Sequence, residues 1–463
     1  MEKTKKKGLI GLGVAVALVV ICGLLPPPAG ATRQGMLALA LFLGAIIMWI
    51  CETMPMLITA FLVMFLFPIF NIMPLNTVFT SFGGTAFFFA IATFGLSAAL
   101  ERTSIPLRIC HALTKSAKGN SKALVIGLLY ACLLTSGIMS NLSTTIIYLA
   151  LALALLNANG CEPGKSNLGR CLMIGIPAMA GCGGMITPAG TPGNALIIGI
   201  LADKGVNLSF LQWTLIFAPM ALITCLVAGL TITAVFKPEK IGAEALAELD
   251  RRLQECGKLK SQEKRILAII LVILVLWVLG TWIPALNVTV VAMVGLAVMF
   301  LPGVGGLDYD YFVKKTNWNL AFTIGSVGVL IGALTSTGIV DVLVTPLFAP
   351  LGGMNPILIM FIVGVIVCFI RAFIPTAPAI AALFAPLLLP LAGMTTLSVT
   401  SVMVIPAFWA CTPMLLWIEP IFLFTFGYKY YTPGELLKWG WIPSLIMCGI
   451  LSFTPLYLHL FGL

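Results

Sequence analysis

The chain has 463 residues, of which 60% are hydrophobic and 9% charged, and a formal net charge of +10. That composition excludes a soluble globular protein and indicates an all-α polytopic membrane protein. At about 20 apolar residues per crossing, the length allows roughly ten to fourteen spans. The 12 cysteines are scattered singly with no CxxC pair, so they read as small core residues, implying neither disulfides nor a metal cluster.

In chain order, the basic start MEKTKKKG leads into a first apolar segment over 8–25, read as a retained span because no small-residue cleavage site follows before PPPAG. Further spans are predicted over 34–51, 55–73 and 80–100, then a basic segment over 101–122. The stretch 123–157 is interrupted by SNLSTT; it is long for one span and short for two, and is read as a re-entrant hairpin. A span over 171–201 and another over 213–235 close the first half. The charged segment 236–265 reads either as an amphipathic helix at the membrane surface or as a plain cytoplasmic linker. The second half gives spans over 266–284, 286–303 and 318–341, a second hairpin over 357–390, an interrupted span over 398–427 and a last span over 441–461. Thr432-Pro433-Gly434-Glu435 carries the signature of a helix start just before that last span. The predicted fold is therefore about 11 transmembrane helices plus two hairpins, with domains 1–25, 26–235 (scaffold spans 34–73, transport part 80–201), 236–265 and 266–463 (scaffold spans 266–303, transport part 318–427).

The basic residues sort this map. With the N-terminus inside, both hairpins returning to their own side and the C-terminus outside, 23 of the 26 Lys and Arg fall on the inner face. Only Arg33 and Lys204 lie outside, and Arg371 remains in the membrane. The positive charge thus follows the positive-inside rule of a multi-pass cytoplasmic-membrane protein and does not point to nucleic acid.

The two halves repeat weakly. FGLSAALERTSI (94–105) recurs as LIGALTSTGIV (330–340), the hairpin break at Ser140 recurs near Thr376, and Thr191-Pro192 recurs as Thr412-Pro413, at offsets of 234, 236 and 221. The orientation makes the repeats inverted, a recurrent design of secondary transporters. GGMITPAGTPGNALIIG (183–199) places Pro188, Gly190, Pro192 and Gly193 deep in an apolar run. Irregular backbone is tolerated at membrane depth only where it is buried in protein or lines a polar cavity. Four such breaks offer half-helix N-termini suited to an anion and freed carbonyls suited to a cation such as Na⁺.

These residues resemble the divalent anion:sodium symporters, carriers of di- and tricarboxylates or sulfate. MWICETMPMLITAFL (48–62) resembles the family's W-x-x-E-x-x-P signature, ITPAGTPGNALIIG its G-T-P-P-N segment, SNLSTT its S-N-T hairpin tip, and TNWNLAFTIGSVGVLIGALTSTGI (316–339) the opening of its second bundle. The resemblance covers nearly the whole chain. It implies a homodimer, each protomer having a fixed scaffold and a transport domain that moves like an elevator. It also implies substrate contacts at Ser140, Asn141, Thr144, Thr191 and Pro192, and a Na⁺ site at Ser140, Asn141, Gly190 and Asn194. The second set departs from the family pattern: the tip reads Thr376-Ala377-Pro378, and Leu415 stands where Asn is expected after Thr412-Pro413. A second sodium site lacks its ligands there. Thr376, Thr412 and Pro413 are still the candidate substrate contacts of that half, together with Arg371, which reads either as a permanent substitute for the second Na⁺ or as a structural group, paired with Glu419 or reaching the outer interface.

Glu52 reads as a packing anchor. His111 and His459 are unsuited as proton relays, and Trp213, Trp282 and Trp439 fit an interfacial aromatic belt. An intramembrane hydrolase is disfavoured by the lack of HExxH and paired aspartates. An arsenite or Na⁺/H⁺ antiporter is disfavoured by the absence of acidic residues at the first site. A channel does not need inverted hairpins. The expected function is carriage of a small divalent anion, a C4-dicarboxylate or 2-oxoglutarate, by exchange or with reduced sodium coupling; the alternative is a Na⁺-coupled di- or tricarboxylate (citrate) or sulfate symporter.

Overall fold

Polar caps set the helix starts in the computed structural model, which describes all residues except 1, 118, 255, 256, 375, 376, 416–418 and 463. Thr32 accepts from Gly35 N at the head of Arg33–Ile50, and Asn120, Ser166, Asn355 and Ser398 cap later helices in the same way. Ser209–Gln212 and Thr432–Glu435 form reciprocal capping boxes, so the last span begins at Pro433, earlier than hydropathy alone indicated. The described residues are helical with no strand among them.

Seven helices are long and apolar enough to cross a bilayer unaided, among them Arg33–Ile50, Leu75–Glu101, Phe210–Phe236 and Trp318–Ser336. Two of the seven, Asn141–Ala158 and Ala377–Met394, are hairpin arms, and the predicted interruptions are real breaks between helices. The first hairpin consists of Ser121–Ser136 and Asn141–Ala158, and the second of Pro356–Arg371 and Ala377–Met394. The first broken span is Asn167–Gly183 followed by Pro192–Asp203; the second is Val399–Cys411 followed by Pro420–Phe426. One predicted span, 318–341, is divided: Gly338 takes a φ of +66°, a conformation that ends Trp318–Ser336 and starts Ile339–Phe348 in a new direction.

The segments assigned to one side by their charge lie on one face. Ser104 N donates to Glu263, Arg108 to Gly257 O at 2.7 Å, and Arg102 to Gly306 O at 3.0 Å. Glu239 accepts from Asn167 N at 2.6 Å, and Arg170 pairs with Glu435 at 2.6 Å. The linker forms the helix Ala243–Gln254, which buries Ala245, Leu249 and Leu253. Its apolar face packs on the second arm of the first hairpin, and so covers protein where a surface helix would cover lipid.

Apolar side chains gather in two cores. The smaller is shared by Thr85–Glu101, Ser261–Leu279 and Val288–Met299 around Phe89, Leu96, Ile273, Trp277 and Leu296; the larger holds both hairpins and both broken spans. Two of the expected belt tryptophans are not at an interface. Trp213 and Trp439 are fully buried, donating to Met185 O and Thr231 Oγ1, each at 3.0 Å, whereas Trp282 is 68% exposed. A buried indole N–H needs an acceptor; the unwound first break supplies Met185 O to Trp213, and the helix Phe210–Phe236 supplies Thr231 Oγ1 to Trp439.

Candidate substrate and cation site

The first broken span unwinds over 184–191, and two carboxamides tie the loose backbone. Asn194, at the start of Pro192–Asp203, donates through Nδ2 to Gly184 O at 2.8 Å and Thr187 O at 2.9 Å. Asn141, at the start of the hairpin's second arm, with its amide oriented to donate, reaches Ser136 Oγ at 2.9 Å, Ala180 O at 3.2 Å and Gly190 O at 3.3 Å. Thr187 Oγ1 donates to Gly137 O at 2.7 Å, fixing the hairpin tip to the break. Gly190 permits the fold-back, since a Cβ there would stand 2.4 Å from Gly184 O. Carbonyls released from the helix are thereby satisfied inside the protein, as membrane depth requires.

The second-half breaks reach the same place. Pro413 lies so close to Gly181 that a Cβ on Gly181 would meet its Cδ at 2.7 Å. Cys411 Sγ donates to Asn194 Oδ1 at 3.6 Å, and Ala377, at the second hairpin tip, faces Gly193. All four breaks therefore converge.

The polar groups available there differ. Ser140 is half-buried and makes no cap hydrogen bond with its side chain. Thr144 is fully buried, and its Oγ1 has no hydrogen-bond partner. Thr191, extended at φ −148° and 7% exposed, precedes the half-helix that begins at Pro192 and makes no cap hydrogen bond with its side chain. The hydroxyl of Thr412 is committed to Phe408 O at 2.9 Å, so it has no proton left for an anion. Thr376 and the side chain of Pro192 lie outside the described residues. The N-termini of Asn141–Ala158 and Pro192–Asp203 both start at this point, adding partial positive charge. Ser136, Thr187 and Cys411 were not singled out from sequence; only their placement within a few residues of the breaks hinted at them.

Arg371 ends the first arm of the second hairpin and is 2% exposed. Its Nε donates to Trp409 O at 2.9 Å, its Nη1 to Ile374 O, and its Nη2 pairs with Glu419. The guanidinium does not reach an interface. It spans the second hairpin tip and both sides of the second break, carbonyl to carbonyl to carboxylate. Glu52, by contrast, adopts φ +52° in the loop after Arg33–Ile50. With Trp49, Pro55, Ile374 and Ala379 it lines a cavity of about 470 Å³ beside the second hairpin. Among the described residues no group of His, Cys, Asp and Glu could hold a metal ion, so any cation bound here would rely on neutral oxygens.

The sequence matches the family described as the sodium:sulfate symporter transmembrane region over residues 6–457. It is 24% identical over 403 residues to the sodium-dependent dicarboxylate transporter SdcS of Staphylococcus saprophyticus, covering 82% of this chain and 77% of that one. It is 26% identical over 408 residues to the L-tartrate/succinate antiporter of Escherichia coli K12, covering 81% of each. Among solved structures it resembles the YdaH transporter of Alcanivorax borkumensis (TM-score 0.54, 15% identity, 99% and 98% coverage). It also resembles MtrF of Neisseria gonorrhoeae (TM-score 0.58, 14% identity, 96% and 94% coverage), a likeness of fold. The chain therefore belongs to the family of the sodium:sulfate symporter transmembrane region, the divalent anion:sodium symporters, and is a multi-pass membrane transporter.

Proposed function

We propose that this transporter carries small divalent anions, C4-dicarboxylates or 2-oxoglutarate, across the cytoplasmic membrane, as an exchanger or with reduced sodium coupling. The observation that carries the reading is Arg371: its buried guanidinium, charge-balanced by Glu419, occupies Ile374 O and Trp409 O where a second Na⁺ would need oxygen ligands, and the Leu415 side chain supplies none. A fixed charge cannot dissociate, so that half contributes no sodium dependence. The names of the relatives, a dicarboxylate transporter and a tartrate/succinate antiporter, support the substrate class.

On this reading the substrate carboxylates bind Ser140, Thr144 and Thr191 and the half-helix N-termini, with Asn141 and the 190–194 backbone shaping the site. Neutral donors hold an anion without trapping it as a fixed charge would. On the same reading one weakly held Na⁺ would take neutral oxygens of Ser140, Asn141, Gly190 and Asn194. The two inverted halves would act as a homodimer, moving the site by an elevator displacement with the N-terminus in the cytoplasm. The test is uptake of labelled succinate or 2-oxoglutarate into proteoliposomes, with and without internal dicarboxylate and with and without Na⁺. Uptake stimulated several-fold by internal dicarboxylate supports exchange. Strict Na⁺ dependence without trans-stimulation would instead support the Na⁺-coupled di- or tricarboxylate symporter.

A further inference from the structure

The tip of the first hairpin is fastened to a helix of the other core. Ser140 N donates to Ser97 Oγ at 2.7 Å, and Ser143 Oγ donates to Glu101. Ser97 and Glu101 are one turn apart at the end of Thr85–Glu101; Ser140 and Ser143 are nearly one turn apart at the head of the hairpin's second arm. Such spacings put each pair on a single helix face, so the two faces meet through two hydrogen bonds.

Glu101 is held from the far side as well. Lys315 Nζ lies 2.7 Å from its other oxygen, and Tyr311 OH is 3.5 Å away. The Lys315 ammonium and the Arg102 guanidinium both sit over the Tyr311 ring, at 5.6 and 5.2 Å from its centroid. The Glu101 side chain is only 11% exposed, so its charge depends on Lys315. The hydrogen bond to Glu101 raises the Lys315 pKa against the opposing effect of burial, keeping the ammonium charged. Thr85–Glu101 and Tyr309–Lys315 contribute to the smaller core, and the hairpin to the larger one. The contact thus crosses from one packed body to the other, on the face where the basic segments meet.

We propose that Glu101, clamped by Lys315, is a latch that holds the first hairpin tip against Thr85–Glu101, and that releasing Ser143 from it is a step in displacing the hairpin. The proposal rests on the carrier reading, because only a moving hairpin needs a latch. A charge-assisted hydrogen bond is strong enough to bias two conformations yet can be broken, whereas an apolar seam of similar extent would slide without a defined stop.

The experiment uses the full-length protein in proteoliposomes, spin-labelled at Lys122 on the hairpin and Val294 on Val288–Met299, both exposed. Distance distributions and dicarboxylate exchange are measured for the parent and for Ser143→Ala, Glu101→Gln and the double variant. Each single variant should move a substantial fraction of molecules to a second distance and change the maximal exchange rate several-fold, with KM shifting less than two-fold. The double variant should go no further than Glu101→Gln. Unchanged distances in both single variants, or additive effects in the double, would overturn the latch. A parent protein that exchanges no dicarboxylate counts against the carrier reading, while the distance data still judge the latch.

Discussion

Where the first broken span comes apart, between Gly183 and Pro192, the asparagines 141 and 194 gather the freed carbonyls with neutral amides. Where the second comes apart, after Cys411, a guanidinium binds Trp409 O at its edge and Ile374 O at the hairpin tip, and a carboxylate balances it. The same topological problem, unpaired backbone at membrane depth, thus has two chemical answers. A carboxamide can exchange partners and let an ion or an anion in. A buried ion pair cannot, because separating it leaves a charge without solvent. The first break is suited to binding and release, and the second to holding shape and charge.

Breaking the second break should have the largest effect. Arg371→Ala leaves Glu419 buried without its partner, at a cost of about 3–5 kcal/mol, and should abolish exchange. Arg371→Met combined with Glu419→Leu should recover most of the thermal stability in detergent but no exchange. Full exchange in that double variant would mean the charge is structural only.

Gly190→Ala tests the first break. Its Cβ would meet Gly184 O at 2.4 Å and the Gly184 carbonyl carbon at 2.9 Å, both backbone atoms. A loss of about 2–3 kcal/mol in thermal unfolding is expected, with exchange reduced at least tenfold.

Thr144→Val separates binding from packing. Because Thr144 Oγ1 has no partner, stability should hold or rise by about 1 kcal/mol, while KM for dicarboxylate rises roughly tenfold through the lost hydrogen bond to a charged group. A fall in melting temperature with unchanged KM would place the hydroxyl outside the site.

The smallest effect is expected at the linker joining the halves. Hydrogen bonds from Arg251 and Arg252 pull the Glu248 pKa down to about 2. Since the folded value is depressed, its contribution is present above the ordinary carboxylate range and lost as pH falls toward 2. Glu248 lies at the surface, so Glu248→Gln should leave both exchange and the melting temperature at neutral pH close to the parent.

Much of the fold was legible because lipid permits few solutions. Apolar runs fixed the spans, and SNLSTT and TPAGTPGN marked breaks that no simple crossing would tolerate. Lys and Arg segments identified a face that hydrogen bonds such as Arg170 to Glu435 now join. Less legible was anything that depended on what meets what. Trp213 and Trp439 look interfacial by position yet are enclosed, and Thr412 looks like a ligand yet donates to its own helix. For Arg371 the sequence left three roles open, and burial removed the one at the outer interface.

By itself, the sequence determined that this chain crosses a membrane repeatedly, where it bends, and which residue types stand at the bends, because the cost of unpaired backbone and stray charge in hydrocarbon is imposed locally on each segment. Only the tertiary structure decided that residues 141, 190, 194, 411 and 413 come together, and which of the site's protons are already committed. Those facts depend on side-chain partners more than two hundred residues apart, such as Cys411 and Asn194, and no local rule specifies them.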